Sequence, residues 1–431
     1  MKLGWLSASP TATTGYGGQT LEAASRIMED HEVTCIAQIG DMVIYGSRLE
    51  VPTKQGDLTV LSMAGGKNVA ELINNYYLPE FKWDAIIGFM DAFGISFLND
   101  VHCPVIGWIP IDGPFTPNWR EQVKNFHRVI AYSKYGFDQL NRWLPPSKTG
   151  YIPHGISEDF YPLSDDDRKI IRIGLEHSRK IPKDAFLIVH VGANVGPRKC
   201  LPLMISSFAR FARTLIEEGE TPPHLYIHTN PFEHFPRGYD LNQWSDMEGT
   251  GSLVHFPKFN PVLKPATNLQ LNNLLNAAAY NGIYTSNSVA EGFGLPMGEA
   301  MRAGCSIVAP LNSAQTELVK GTIDQNSPDL HGWSFPCLDT KIYAQIPHYV
   351  PMLPIYPVPD QELLVDTWYE AFHNAKEREK RGAAAHKYIL RNHSWEIVAK
   401  GWKQAIKDLD LDITFLRKVY DGLTISGTVA A

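Results

Sequence analysis

Short apolar runs alternate with one-faced helical stretches along most of the chain, the pattern of parallel α/β architecture. In the first half the runs that read as strands are Lys2–Ser7, Val33–Gln38, Thr59–Met63, Ala85–Met90, Val105–Pro110 and Arg128–Ser133. Gln19–Glu29 carries Leu21, Ala24 and Ile27 at helical spacing. A second series starts near Asp184, with strands predicted at Phe186–Gly192, Leu225–Thr229, Leu253–Pro257, Gly282–Ser286 and Cys305–Pro310. The helix after the first of these lines up Leu201, Ile205, Phe208, Phe211 and Leu215 on one face, which is core. Thr322–Asp360 is rich in proline and turn residues and is expected to be irregular; helical patterning returns from Glu362 to Asp408. The expected organisation is a first unit over 1–160, a polar linker over 161–183, a second unit over 184–393 and a C-terminal helix over 394–431. Two similar α/β halves imply a cleft between them, a usual place for a small-molecule site.

Composition narrows the function classes. At 431 residues the chain is too long for one core. With 44% hydrophobic and 20% charged residues it reads as an ordinary soluble globular protein. The formal charge of −7, from 39 basic and 46 acidic residues, argues against a surface that binds by neutralising nucleic-acid phosphates. Cys35, Cys103, Cys200, Cys305 and Cys337 are scattered and odd in number, as expected of free thiols in a reducing compartment. No apolar run approaches the roughly 18 residues of a spanning helix, and Met1–Ser7 is too short for a signal peptide, so a cytoplasmic protein is expected. Asp165–Asp167 contains a D-x-D spacing, but three adjacent carboxylates beside a linker read as a solvated helix start, and no metal site is expected.

The segment richest in chemistry runs from Glu291 to Gly304: Glu-Gly-Phe-Gly-Leu-Pro-Met-Gly-Glu-Ala-Met-Arg-Ala-Gly. A strand feeds a loop whose glycines, Gly292 and Gly294, let the backbone approach a ligand closely. Pro296 suits the first helical turn and Gly304 the helix end. The N-terminus of that helix offers free N–H groups and a positive dipole end, which suits a diphosphate near Phe293, Gly294 and Leu295. Glu291 and Glu299 frame the turn. Carboxylates accept paired hydrogen bonds from vicinal hydroxyls, so one suits a sugar and the other a ribose.

This segment resembles the donor-site motif of retaining GT-B glycosyltransferases, glycosyltransferase family 4 in particular. Ile152-Pro153-His154-Gly155-Ile156 resembles the interdomain turn of that family. His127–Ser133 resembles the strand ending in serine before it, and Ser394-Trp395-Glu396 the late motif that opens a C-terminal helix. The resemblance implies two Rossmann-like parallel-sheet domains facing across a cleft, with the last helix returning to the first domain. It also places a basic pair after the first strand of the second domain, on the donor diphosphate. Lys199 falls where the family lysine belongs, whereas Ala193 replaces the usual arginine, and Arg198 is the candidate substitute. Two solvated cations at a helix start are the alternative. The glycine loop Thr14–Gln19, with Gly15, Gly17 and Gly18, corresponds to a loop that closes over the donor phosphates; a tight strand-to-helix turn is the competing explanation. It lacks the third glycine of a dinucleotide fingerprint, since Thr20 stands there. Asp112 and Gly113 lie where the family has polar acceptor-side residues, with a turn-capping aspartate as the alternative.

The resemblance implies transfer of a sugar from a nucleoside-diphosphate sugar to an acceptor hydroxyl with retention of configuration, a hexosyltransferase-type reaction needing no cofactor and no metal. Glu291, Lys199, Arg198 and Asp112 are the implied catalytic set, with domain closure about His154–Gly155. The acceptor stays open among glycan, lipid-linked glycan, protein, small molecule and modified DNA, as do the donor base and sugar and the oligomeric state. Rival readings are a sugar-nucleotide epimerase, a phosphorylase on the same fold, and a non-catalytic sugar-nucleotide binder, the last motivated by Ala193.

Overall fold

The computed structural model describes residues 1–39, 47–63, 68–233, 238–258, 260–261, 264–343 and 355–426, with the backbone alone for 339–343, 355 and 415–426. Two open sheets form its frame. The first has eight strands: β1 (Lys2–Ala8), β2 (Glu32–Ile39), β3 (Arg48–Thr53), β4 (Gly56–Ser62), β5 (Ala85–Gly88), β6 (Val105–Ile109), β7 (Arg128–Ala131) and β8 (Thr149–Tyr151). Their order is β3-β4-β2-β1-β5-β6-β7-β8, parallel throughout except for the antiparallel edge strand β3. The second has β9 (Leu187–Val191), β10 (His224–His228), β11 (Val254–His255), β12 (Gly282–Thr285), β13 (Ile307–Pro310) and β14 (Gly332–Phe335), in the order β11-β10-β9-β12-β13-β14 and all parallel. A separate antiparallel pair, β15 (Cys337–Tyr343) and β16 (Ile355–Pro359), follows.

The central strands are buried along nearly their whole length, as β5, β6, β12 and β13 show, because helices cover both faces. That is why they read as continuous apolar runs. The strands missing from the sequence reading are those without that signal. The edge strand β3 is mostly exposed and contains Pro52, and β8 is three half-buried residues around Gly150. Thr322–Asp360, expected to be irregular, instead supplies β14, β15 and β16; Pro336 sits just past the end of β14 and Pro357 and Pro359 in the two-stranded pair, where ladder bonds are not all required. Residues 344–354 of that stretch lie outside the described residues. The segment read as a polar linker holds the helix Asp165–Arg179, whose cap Ser164 accepts from the Asp167 N–H. Asp165–Asp167 form its first turn, where carboxylates complement the helix dipole. All five cysteines are free, and no helix among the described residues is long and apolar enough to cross a membrane.

The halves are joined by specific contacts. The Gln19 side chain donates to Gly155 O at 2.7 Å and accepts from Gly155 N–H at 3.3 Å, pinning the interdomain turn to the first helix. Glu317, fully buried in the second half, accepts from the Lys134 and Tyr135 N–H groups at 2.8 and 3.3 Å. It thereby satisfies orphan donors at the start of the helix Lys134–Asn141. The last helix, Trp395–Ser426, packs on the first sheet. Trp402 is fully buried with ring centroids 5.4 Å from both Trp5 and Trp108. Arg128–Asp408 at 3.2 Å and Lys403–Asp30 at 3.0 Å flank that aromatic core. Edge-to-face aromatic packing adds to the area each ring removes from water. Trp402→Ala is therefore expected to cost about 3–5 kcal/mol, read as a lower urea midpoint; an unchanged midpoint would contradict the packing of this helix on the first sheet.

Candidate functional site

Both sheets wind outward in two directions from their first strand, so each has a switch point: between β1 and β5 in one, between β9 and β12 in the other. Loops leaving the carboxyl ends of such neighbours diverge and open a crevice that binds ligands. The sequence-predicted residues gather at the second of these. Arg198 and Lys199 lie in the 3-10 turn Pro197–Lys199 beyond β9, and Glu291 lies beyond β12. The basic pair thus precedes the helix Leu201–Glu217 rather than occupying its first turn, with Cys200 in the left-handed region (φ 48°) making the transition. Arg198 O accepts from the Val289 N–H at 2.9 Å and the Ser288 hydroxyl at 3.1 Å, so the two loops are tied together by backbone.

Adjacent side chains need not point the same way, yet these two converge. Lys199 Nζ donates to Glu291 Oε1, and Arg198 Nη1 donates to Glu291 Oε2 at 3.3 Å and to Ala290 O at 3.1 Å. Lys199 is only 8% exposed. Burial pulls its ammonium pKa below the ordinary value, and Glu291 works against that fall. Burial alone would raise the Glu291 pKa, but Lys199 and Arg198 outweigh it and hold the carboxyl at about 2. Arg198 is pushed upward: burial opposes its charge, and Glu291 and Asp112 more than compensate.

Beyond Glu291 the chain turns through Gly294 in the left-handed region (φ 94°) and enters the helix Leu295–Arg302, with Pro296 in its first turn and Gly304 (φ 81°) just past its end. The N–H groups of Gly292, Phe293, Gly294 and Leu295 donate to no group among the described residues, and no side chain caps this helix. Phe293 is buried, its ring 5.6 Å from that of His154 and 4.9 Å from that of His393. Glu299 is half-buried on the same helix without an ion pair among the described residues; burial raises its pKa to about 7.

Thr14–Gln19, expected as a glycine loop, is instead the cap and first turn of the helix Gly15–Ile27. The Thr14 hydroxyl accepts from the Gly17 N–H at 3.1 Å, which lets the helix begin immediately. A side chain at Gly17 would collide with Ala12 O at 2.1 Å, and one at Gly15 would press on Leu295 at 2.9 Å. Gly18 meets nothing within 4 Å. Gly15 therefore brings this helix start against the helix start at Leu295. Gly292 makes the other close approach, where an added Cβ would lie 3.0 Å from Pro110 and from the Tyr132 hydroxyl.

Across the cleft, Asp112 does not cap a turn: its Oδ1 accepts from the Tyr356 hydroxyl at 3.0 Å, delivered by β16 of the second half. Burial raises the Asp112 pKa to about 6, with Arg198 pulling the other way. Asp91, beyond β5 at the first switch point, accepts from the Tyr16 hydroxyl at 3.0 Å and is raised by burial in the same manner. Gly113 is buried. Asp91, Tyr16, Tyr132 and Tyr356 were not singled out from the sequence. The criterion that selected Asp112, a carboxylate just past the carboxyl end of a parallel strand, applies equally to Asp91. Tyr356 carries no comparable signal.

No family model matches the chain, and no curated protein matches it. Solved structures do. Sucrose-phosphate synthase from Thermosynechococcus elongatus superposes with a TM-score of 0.70 at 16% identity, over 96% of this chain and 100% of that one. HepE of Anabaena, solved with UDP-glucose, gives 0.68 at 15% identity, over 95% and 100%. WaaG, a glycosyltransferase of lipopolysaccharide biosynthesis, gives 0.61 at 14% identity, over 92% and 98%. At such identities the likeness establishes the fold, two Rossmann-like domains of the GT-B type.

The ion triad makes stability depend on pH. The folded Glu291 pKa, about 2, lies below its ordinary 4.5. Its contribution to stability, about 3 kcal/mol by linkage, is thus present above pH 4.5 and lost as pH falls toward 2. In Glu291→Gln the acid-side slope of stability should be shallower by that one proton, as measured by urea melts from pH 7 to 3. An identical slope would contradict the triad.

Proposed function

We propose that the protein is a retaining glycosyltransferase, akin to glycosyltransferase family 4, that moves a hexose from a nucleoside-diphosphate sugar to an acceptor hydroxyl. The observation that carries this reading is the convergence of Lys199 and Arg198 on Glu291 beside four unpartnered backbone N–H groups at a helix start. A diphosphate arriving there would take over both cations and the open N–H groups. Glu291 would then be free to accept hydrogen bonds from sugar hydroxyls. Charge building on the departing diphosphate is met by groups already in place, so little reorganisation accompanies bond breaking. Arg198 supplies the second cation that Ala193 cannot. These cations do what a divalent ion does elsewhere, so the reaction is proposed to run without metal. Glu299, further along the helix, is assigned to the ribose. In this reading residues 1–160 carry the acceptor and 184–393 the donor, 161–183 join them, 394–431 return to the first domain, and closure turns about His154–Gly155. Since HepE of Anabaena was solved with UDP-glucose, UDP and its sugars are the first donors to try.

A thermal-shift screen against UDP, GDP, ADP and their sugars, with and without EDTA, tests the proposal. A donor at about 100 times its dissociation constant should stabilise by about 2.7 kcal/mol, with no dependence on EDTA. Lys199→Ala should abolish the shift and Glu291→Ala weaken that of the sugar nucleotide more than that of the free diphosphate. A flat melting curve against every nucleotide would sink the donor site. Conversion of the nucleotide sugar without an acceptor would indicate an epimerase instead.

A further inference from the structure

The wall of the cleft opposite the cations bears its own charge pattern. Asp91 and Asp112 extend from the carboxyl ends of the neighbouring parallel strands β5 and β6. Each has one oxygen fixed by a tyrosine from another element: Tyr16 on Asp91 and Tyr356 on Asp112, both at 3.0 Å. Between them and the donor loop stands Tyr132. It is only 6% exposed, and its hydroxyl has no partner among the described residues. An added Cβ on Gly292 would touch that hydroxyl at 3.0 Å, and its charged neighbours are Asp91, Asp112, Glu291 and Arg198. The ring is held by His154, stacked on it at 3.9 Å. That hydroxyl is not among the fully buried polar atoms, so it stays open to a ligand entering between the two halves.

We propose that Asp91, Asp112 and Tyr132 form an acceptor subsite for a polyhydroxylated molecule without negative charge, such as a neutral sugar or the neutral end of a glycan, and that it discriminates against phosphorylated and carboxylated acceptors. This rests on reading the cleft as a glycosyl-transfer site. Ionised carboxylates only accept hydrogen bonds, so they match the donors of vicinal hydroxyls, and Tyr132 can give or accept the third bond. An anionic acceptor meets the opposite situation. Three carboxylates, Asp91, Asp112 and Glu291, share two cations, Arg198 and Lys199, and both cations already point at Glu291. When a donor diphosphate takes those cations, a second anion has no counter-charge on this wall. Discrimination then comes from repulsion and from the unmet desolvation of the anion.

The test is saturation-transfer NMR and calorimetry on the full chain, alone and with UDP. The probes are methyl α-glucoside and maltose against glucose 6-phosphate and glucuronate. Wild type should bind a neutral sugar about ten-fold more tightly than its anionic counterpart. Asp91→Asn and Asp112→Asn should each weaken the neutral sugar by about ten-fold and narrow that gap. Tyr132→Phe, which removes a single oxygen and leaves the packing, should weaken the neutral sugar without changing the preference. Binding of the anionic sugars as tightly as the neutral ones, no binding of any neutral sugar, or unchanged affinity in all three variants would overturn the subsite. The UDP thermal shift on the same variants separates the two readings. If it is absent while the sugar results hold, the donor assignment fails and the acceptor subsite stands; if it persists while sugar binding is unaffected, the reverse is true.

Discussion

One carboxylate holding two cations is the constraint around which the second half of the molecule is arranged. A lysine as buried as Lys199 is costly unless an anion sits on it, and a carboxylate in the same place is costly unless cations do. Glu291 meets both demands, but only if the loops after β9 and β12 leave their strands side by side. Parallel neighbours at a switch point provide that adjacency. The bonds from Val289 and Ser288 to Arg198 O then fix the separation of the loops. Breaking such a pair from either end leaves a buried charge uncompensated, which explains why the ion triad and the local backbone geometry must be kept together.

The first half repeats the arrangement with softer chemistry. At its switch point a tyrosine hydroxyl, not a cation, holds the carboxylate: Tyr16 on Asp91. The two crevices face each other, and the glycines at 15 and 292 remove the side chains that would keep them apart. Both helix starts, at Gly15 and Leu295, therefore converge on the same volume. Glu317 and Gln19 hold that convergence from the sides through side-chain bonds to backbone, Glu317 capping a helix of the first half and Gln19 pinning the interdomain turn.

Much of this was legible in the sequence, because buried parallel strands announce themselves as apolar runs and glycines mark close approaches. Every central strand of both sheets is legible that way; Glu291 and Glu299 stand out by framing the glycine turn, whereas Lys199, Arg198 and Asp112 are candidates through the family resemblance. What escaped has a physical reason in each case. The edge strand β3 and the short β8 bury too little to show a pattern, and β14 hides in a proline-rich stretch. Thr14–Gln19 looked like a loop because three glycines are poor helix formers; the threonine cap and the contacts of Gly15 and Gly17 override propensity there. Tyr356 reaches Asp112 from 244 positions away, a pairing that only tertiary structure creates.

The return of the last helix to the first sheet bears on how the protein is made. Trp5 and Trp108 are capped by Trp402, and Arg128 and Asp30 find their partners at Asp408 and Lys403. During synthesis these surfaces stay wet while nearly three hundred further residues are added after Trp108. The half that leaves the ribosome first is thus the half that is finished last. Until the C-terminal segment emerges, the nascent chain carries an uncovered aromatic face, the kind of surface that recruits chaperones or aggregates. Premature termination anywhere before position 402 would leave that face permanently open, so truncated products of this chain should be recognised and cleared rather than accumulate.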